Sequence, residues 1–271
     1  MNAVAWLMTP GERRPWDSVR QAAYTCSLWG LLFMKKLLLG LVLLIGIQAD
    51  SARAADEIVT SAKATDGETV RYVLTSVGTT PRYAVILMPG GNGQLPLQPQ
   101  DGPLTTKLTG NFLIRSRQLF ADPQFVAAST AATSTAARIL AIKQDLERRF
   151  GRLSVYVVGT SRSTEATQAL AGPLDGQVAG FVHTSSMSSI SGLDPHKYKS
   201  RHLLVAHSRD GCRVTKPASA EASHRNYGTD LILVDGGKSV GDDCEAFAYH
   251  GYNGIEKETI DKIKAWILAG K

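Results

Sequence analysis

Gly159-Thr160-Ser161-Arg162-Ser163 joins an apolar run, Ser154 to Val158 (SVYVV), to a run of helix formers, Thr164 to Ala171 (TEATQALA). The first run is short, β-branched and aromatic, which predicts a buried strand. The second, rich in Ala, Glu, Gln and Leu, predicts a helix that starts at once. A serine on the tight turn between the two is lifted out of the sheet with the helix N-terminus beneath it. Small residues two positions before and two after let the backbone turn without collision. Gly159 fills the first position and Ser163 the second.

The segments around this turn alternate in type. Thr69 to Val77 and Arg82 to Met88 (RYAVILM) read as strands. Pro89-Gly90-Gly91-Asn92-Gly93 follows as a tight turn, and a Pro/Gln/Gly-rich loop runs to about residue 110. Asn111 to Ala121 has helical spacing, and Gln124 to Ala128 is a short strand. The Ser/Thr/Ala tract from Ser129 to Thr135 reads as a loop leading into a helix from Ala136 to Phe150, with Ile139, Ile142, Leu146 and Phe150 on one face. Gln177–Val182, Arg201–Ala206 and Asp230–Val234 are further strands, and an amphipathic helix from Glu256 to Leu268 ends the chain. Strands separated by helix-length segments predict an α/β fold, a mostly parallel central sheet with helices on both faces.

Of the 271 residues, the first 54 read as separate from this fold. Met34-Lys35-Lys36, the uncharged run Leu37 to Ile47 and the small residues Ala52-Arg53-Ala54 follow the order of a secretory signal, with cleavage expected after Ala54. At 1.5 Å per residue that apolar run reaches roughly 16 Å, about half a bilayer core, so no stable membrane anchor is expected after cleavage. Residues 1–33 precede it without clear periodicity, as an upstream extension or a gene start placed too early. The expected domain is 55–271, in the periplasm or outside the cell. Without residues 1–54 the formal charge falls from +6 to +3, and no basic stripe with interleaved aromatics remains to bind nucleic acid. Cleavage leaves two of the three cysteines, Cys212 and Cys244, as an even pair that predicts a disulfide in an oxidising compartment.

In a sheet of this kind, functional groups collect at the carboxyl ends of the strands. Ser161 is then a candidate nucleophile, His250 its base and Asp210 the acid that orients the base. Of the six histidines, only His250 falls between the last strand and the last helix. Asp210 competes with Asp235, Asp242 and Asp243, and wins on its place just past a strand. The Arg162 amide would give one oxyanion donor, and Gly91 or Asn92 the second. The serines from Ser185 to Ser191 read as a loop that caps backbone or lines a pocket.

Ser, then Asp, then His in chain order, with a Gly-rich turn upstream, resembles the α/β-hydrolase superfamily, and the small dienelactone-hydrolase-like esterases in size. In that light the turn at Ser161 looks like a nucleophile elbow with Ser163 in place of its second glycine. Pro89 also stands where a His often precedes the Gly-rich turn. The resemblance implies an eight-strand-type sheet and acyl transfer to water through an acyl-enzyme, on a small-molecule acyl substrate and without a cofactor. It leaves the oligomeric state open. Two other classes compete. His207, Asp210, Cys212, Cys244 and His250 are chemically able to hold zinc, though in no tight ligand motif. A hydrolase scaffold can also serve as a non-catalytic binding protein.

Overall fold

A computed structural model of the chain describes residues 54–270. The upstream extension and, apart from Ala54, the leader segment lie outside those residues. Nine strands form one sheet in the order β4-β1-β2-β5-β3-β6-β7-β8-β9. They are β1 (Asp56–Lys63), β2 (Thr69–Ser76), β3 (Tyr83–Met88), β4 (Gly102–Pro103), β5 (Phe125–Thr130), β6 (Ser154–Thr160), β7 (Gly180–Thr184), β8 (Arg201–His207) and β9 (Asp230–Val234). From β5 to β9 every neighbouring pair is parallel, while β2, β1 and β4 add an antiparallel flank.

Among the described residues the α-helices are α1 (Phe112–Arg115), α2 (Arg117–Phe120), α3 (Ala136–Phe150), α4 (Ser163–Ala171), α5 (Pro217–Tyr227) and α6 (Glu256–Ala269). Alternate side chains of the parallel strands supply two cores, as the period of two demands. Ala84, Ile86, Met88, Val155, Val157 and Phe181 face α3 and α4 through Ile139, Ile142, Leu146 and Leu170. Val85, Leu87, Tyr156, Val158, Val182, Leu203 and Val205 face α1, α2 and α6 through Phe112, Phe120, Ile260, Ile263 and Ile267. Both faces of β3 and β6 are therefore dry, which is why they read as continuous apolar runs rather than alternating ones.

Several expected boundaries shift. The single helix expected over Asn111–Ala121 is two four-residue turns interrupted at Ser116, the first capped by Asn111, whose Oδ1 accepts from the Leu113 N–H at 3.1 Å. The tract expected as loop from Ser129 contributes Ser129 and Thr130 to β5. The strand expected over Gln177–Val182 runs instead from Gly180 to Thr184. The sheet has nine strands where the resemblance implied an eight-strand type, because β1 and the two-residue β4 extend the antiparallel side.

One polar cluster lies inside the α4 side of the sheet. His183 of β7 and His202 of β8 stack with their ring planes 4° apart, and His183 Nε2 meets His202 Nδ1 at 3.2 Å. Thr167 Oγ1 meets His183 Nδ1 at 2.8 Å, so the chain of contacts ends on the helix behind Ser161. Burial, reinforced by His202, drives His183 well below the ordinary histidine range. Burial also lowers His202 to about 4, against a weaker opposing pull from Asp175. Both rings are therefore neutral in the folded protein at pH 7.

In the unfolded chain these rings take up protons near pH 6.5, so protons favour unfolding as the pH falls from there towards 4. Stability is expected to be flat from about pH 7 to 9 and to drop between about pH 6.5 and 4, with His202 alone accounting for about 3 kcal/mol. Urea unfolding across that window measures it. A stability unchanged from pH 6.5 to 4.5 would contradict the buried neutral pair.

Candidate active site

Ser161 sits at φ 53°, a left-handed conformation that non-glycine residues rarely adopt. Three hydrogen bonds hold it there. The Ser161 N–H donates to Thr184 O of β7 at 3.0 Å, and Ser161 O accepts from the Thr164 N–H at 2.9 Å and from Thr164 Oγ1 at 2.6 Å. Ser163 braces the same turn: its Oγ accepts from the Thr160 N–H at 2.8 Å and lies 2.9 Å from Met88 O. A serine at this second small position thus adds hydrogen bonds between β6, β3 and the turn that a glycine could not make. The first small position admits nothing larger than glycine, since a Cβ on Gly159 would lie 2.8 Å from both Ser163 O and Thr167 Cγ2.

Strand register brings the Gly-rich turn alongside. Met88 of β3 pairs with Gly159 of β6, so Gly90 and Gly91 emerge beside Ser161. A Cβ on Gly90 would meet Thr160 O at 2.8 Å and Ser161 Cβ at 2.9 Å, so this glycine is required by the approach of the elbow. Gly91, at φ 63°, turns the chain away.

The other candidates meet at the same end of the sheet. His250 Nδ1 lies 3.0 Å from Asp210 Oδ2, although 40 residues separate them. Both are buried. The Cys212 N–H donates to Asp210 Oδ1 at 2.9 Å, and Thr215 Oγ1 donates to Asp210 Oδ2 at 3.1 Å. The backbone of His250 is fixed from the opposite side, where Ser185 Oγ donates to its carbonyl at 2.7 Å and Arg115 Nη2 donates to Gly251 O at 2.6 Å. Tyr252 Oη donates to Val205 O at 2.8 Å and accepts from the Ser185 N–H at 2.9 Å. Burial keeps the Tyr252 phenol well above its usual range, so it holds its proton for that bond.

Ser161 and His250 line one cavity of about 520 Å³, together with Gly90, Gly91, Arg162, Met187, Arg213 and the Cys212–Cys244 disulfide. Asn92 lines an adjoining cavity, and its Oδ1 accepts from the Gln94 N–H at 3.0 Å. Asp235 instead pairs with Arg209 at 2.8 Å, and Asp242 and Asp243 lie in the exposed loop before Cys244. His207 packs on Tyr249, with its Nε2 3.0 Å from Gly236 O. Cys212 and Cys244 are bonded to each other, and no group of three or more His, Cys, Asp or Glu among the described residues is placed to hold a metal ion. Gly90, Arg115, Thr215 and Tyr252 were not singled out in the sequence. Only Gly90 carried a signal there, as part of the turn after β3.

The architecture is that of an α/β-hydrolase, and comparisons with known structures agree. A dienelactone hydrolase from Anabaena variabilis superposes with a TM-score of 0.55 at 12% identity, covering 80% of this chain and 99% of that one. The esterase domain of a Rhodothermus marinus protein gives 0.51 at 11% identity, covering 77% and 97%. A lidless α/β serine hydrolase from Xanthomonas campestris gives 0.52 at 7% identity, covering 76% and 94%. At these identities the likeness establishes the fold. No protein-family profile matches the chain, and no curated protein matches it in sequence.

The disulfide closes a loop of 32 residues between the segment carrying Asp210 and the one leading to His250. Such a closure contributes about 3–4 kcal/mol in the chain-entropy model. Under the hydrolase reading proposed below, reduction is expected to lower activity more steeply than helix content, as followed by ester hydrolysis and far-ultraviolet circular dichroism on one sample. Equal activity with and without reductant would show that the bond does not restrain the site.

Proposed function

We propose that the protein is an exported serine hydrolase that cleaves a small ester or related acyl compound. The observation that carries this reading is the 3.0 Å contact from His250 Nδ1 to Asp210 Oδ2, with His250 and the strained Ser161 on the wall of one cavity. With the Nδ1 side engaged by Asp210, Nε2 is the nitrogen left to serve as base. The esterases and the dienelactone hydrolase that share the fold support ester-type chemistry.

In this mechanism Ser161 Oγ attacks the acyl carbon as His250 Nε2 takes its proton, and Asp210 stabilises the imidazolium that forms. The amides of Arg162 and Gly91 donate to the developing oxyanion, where backbone dipoles need no reorganisation. Gly91 is preferred to Asn92 because it lines the serine's cavity and Asn92 does not. The imidazolium then protonates the leaving group. Water activated by the same base attacks the acyl-enzyme, releasing the acid and restoring Ser161. The cavity volume suits a small molecule. Export is supported by the leader-like order of residues 34–54 and by the Cys212–Cys244 bond, which belongs to an oxidising compartment.

A fluorophosphonate probe should label the purified oxidised protein at Ser161. Ser161→Ala and His250→Ala should each abolish labelling and lower ester hydrolysis about 10³-fold or more. A folded, oxidised protein that takes no label would favour a binding protein on a hydrolase scaffold.

A further inference from the structure

Thr215 is buried, with 2% of its surface accessible, in the loop between β8 and α5. Its hydroxyl touches both members of the pair behind Ser161. Oγ1 lies 3.1 Å from Asp210 Oδ2 and 3.0 Å from His250 Nδ1, while those two atoms lie 3.0 Å from each other. The three atoms form a nearly equilateral triangle holding two hydrogens.

The proton arrangement follows from the donor inventory. An ionised carboxylate only accepts, so both other atoms must direct a hydrogen at Asp210 Oδ2. The Thr215 O–H is then spent on the carboxylate, and only its lone pairs remain to face His250. Nδ1 must carry the imidazole's proton and share it between Asp210 Oδ2 and Thr215 Oγ1. The opposite tautomer would set Nδ1 and Oδ2 lone pair against lone pair at 3.0 Å. Thr215 itself is held by the turn in which its N–H donates to Cys212 O at 3.1 Å, next to the disulfide.

We propose that Thr215 is a positioning residue of the hydrolytic site, which fixes the tautomer and ring orientation of His250 by giving Nδ1–H a second acceptor while its own proton locks Asp210. This rests on the reading of Ser161 as nucleophile and His250 as base. Thr215 touches no reacting atom. Its effect reaches the reaction through the direction in which Nε2 presents its lone pair, a property of the turnover step rather than of substrate binding.

Thr215→Val keeps the shape and removes the hydroxyl, and Thr215→Ser keeps the hydroxyl. In the full chain, Thr215→Val should lower kcat on the order of tenfold with KM within about twofold, and Thr215→Ser should recover most of the loss. Nuclear magnetic resonance of histidine-labelled protein should show the neutral His250 ring protonated on Nδ1 in the wild type, with that proton's signal broadened in Thr215→Val. A wild-type protein labelled at Ser161 whose Thr215→Val variant keeps kcat, or whose His250 carries its proton on Nε2, overturns the proposal and leaves the Ser161 reading standing. Probe labelling that survives Ser161→Ala, or is absent from the wild type, removes both. Should Thr215→Val not fold, the wild-type tautomer and the kcat of Thr215→Ser decide.

Discussion

The left-handed turn at Ser161 is the constraint on which the rest of the site depends. A non-glycine residue at φ 53° is costly, and it persists only because neighbouring strands and the first turn of α4 hold it. β7 binds its N–H, Thr164 binds its carbonyl, and Ser163 ties Thr160 to the end of β3. These contacts join the first turn of α4 to three consecutive strands of the sheet, β3, β6 and β7. The position of the serine is therefore a property of the sheet, and the glycines at 90 and 159 mark where the packing leaves no room for a Cβ.

The side bearing the histidine is built differently. His250 belongs to a 3-10 turn, Tyr249–Gly251, with no strand of its own to orient it. It is fixed by side chains from elsewhere: Ser185 after β7, Arg115 on α1, and Asp210 and Thr215 after β8. The disulfide bonds the segment that carries Asp210 to the segment that precedes His250. One half of the site is thus held by backbone ladders and the other by a web of buried side-chain bonds and one covalent link. Removing a single member of the second half loosens one side chain, while a Cβ at Gly159 or Gly90 collides with backbone.

Two clusters of polar groups away from the site are paired across the layers. Asp145 on α3 accepts from Arg149 at 2.9 Å, from Arg148 at 2.8 Å and from Tyr72 of β2. Burial alone would raise this carboxyl, but the hydrogen bonds from Tyr72, Arg149 and Arg148 outweigh it and hold the carboxyl below its ordinary range. Arg117 pairs with Glu57 at 2.6 Å across the α2 face. These clusters pin the antiparallel flank to the helices on either side.

What the sequence determined by itself was local. The apolar strands, the helix faces of α3 and α6 and the strand–turn–helix around Ser161 are set by period, propensity and turn chemistry within a few residues. Strand β1 was not legible, because DEIVTSAK shows neither strict alternation nor a continuous apolar run. Helix α5 was missed although Pro217 and Gly228 mark its ends, since it buries only Ala220 and Ser223 and shows no apolar stripe. The candidate acid and base were chosen by their places after a strand and before the last helix, and Thr215 was not singled out at all. Whether residues 40 apart touch depends on which loops the strand order 3-6-7-8-9 brings to one end of the sheet. That is a long-range property of packing, and only the tertiary structure decided it.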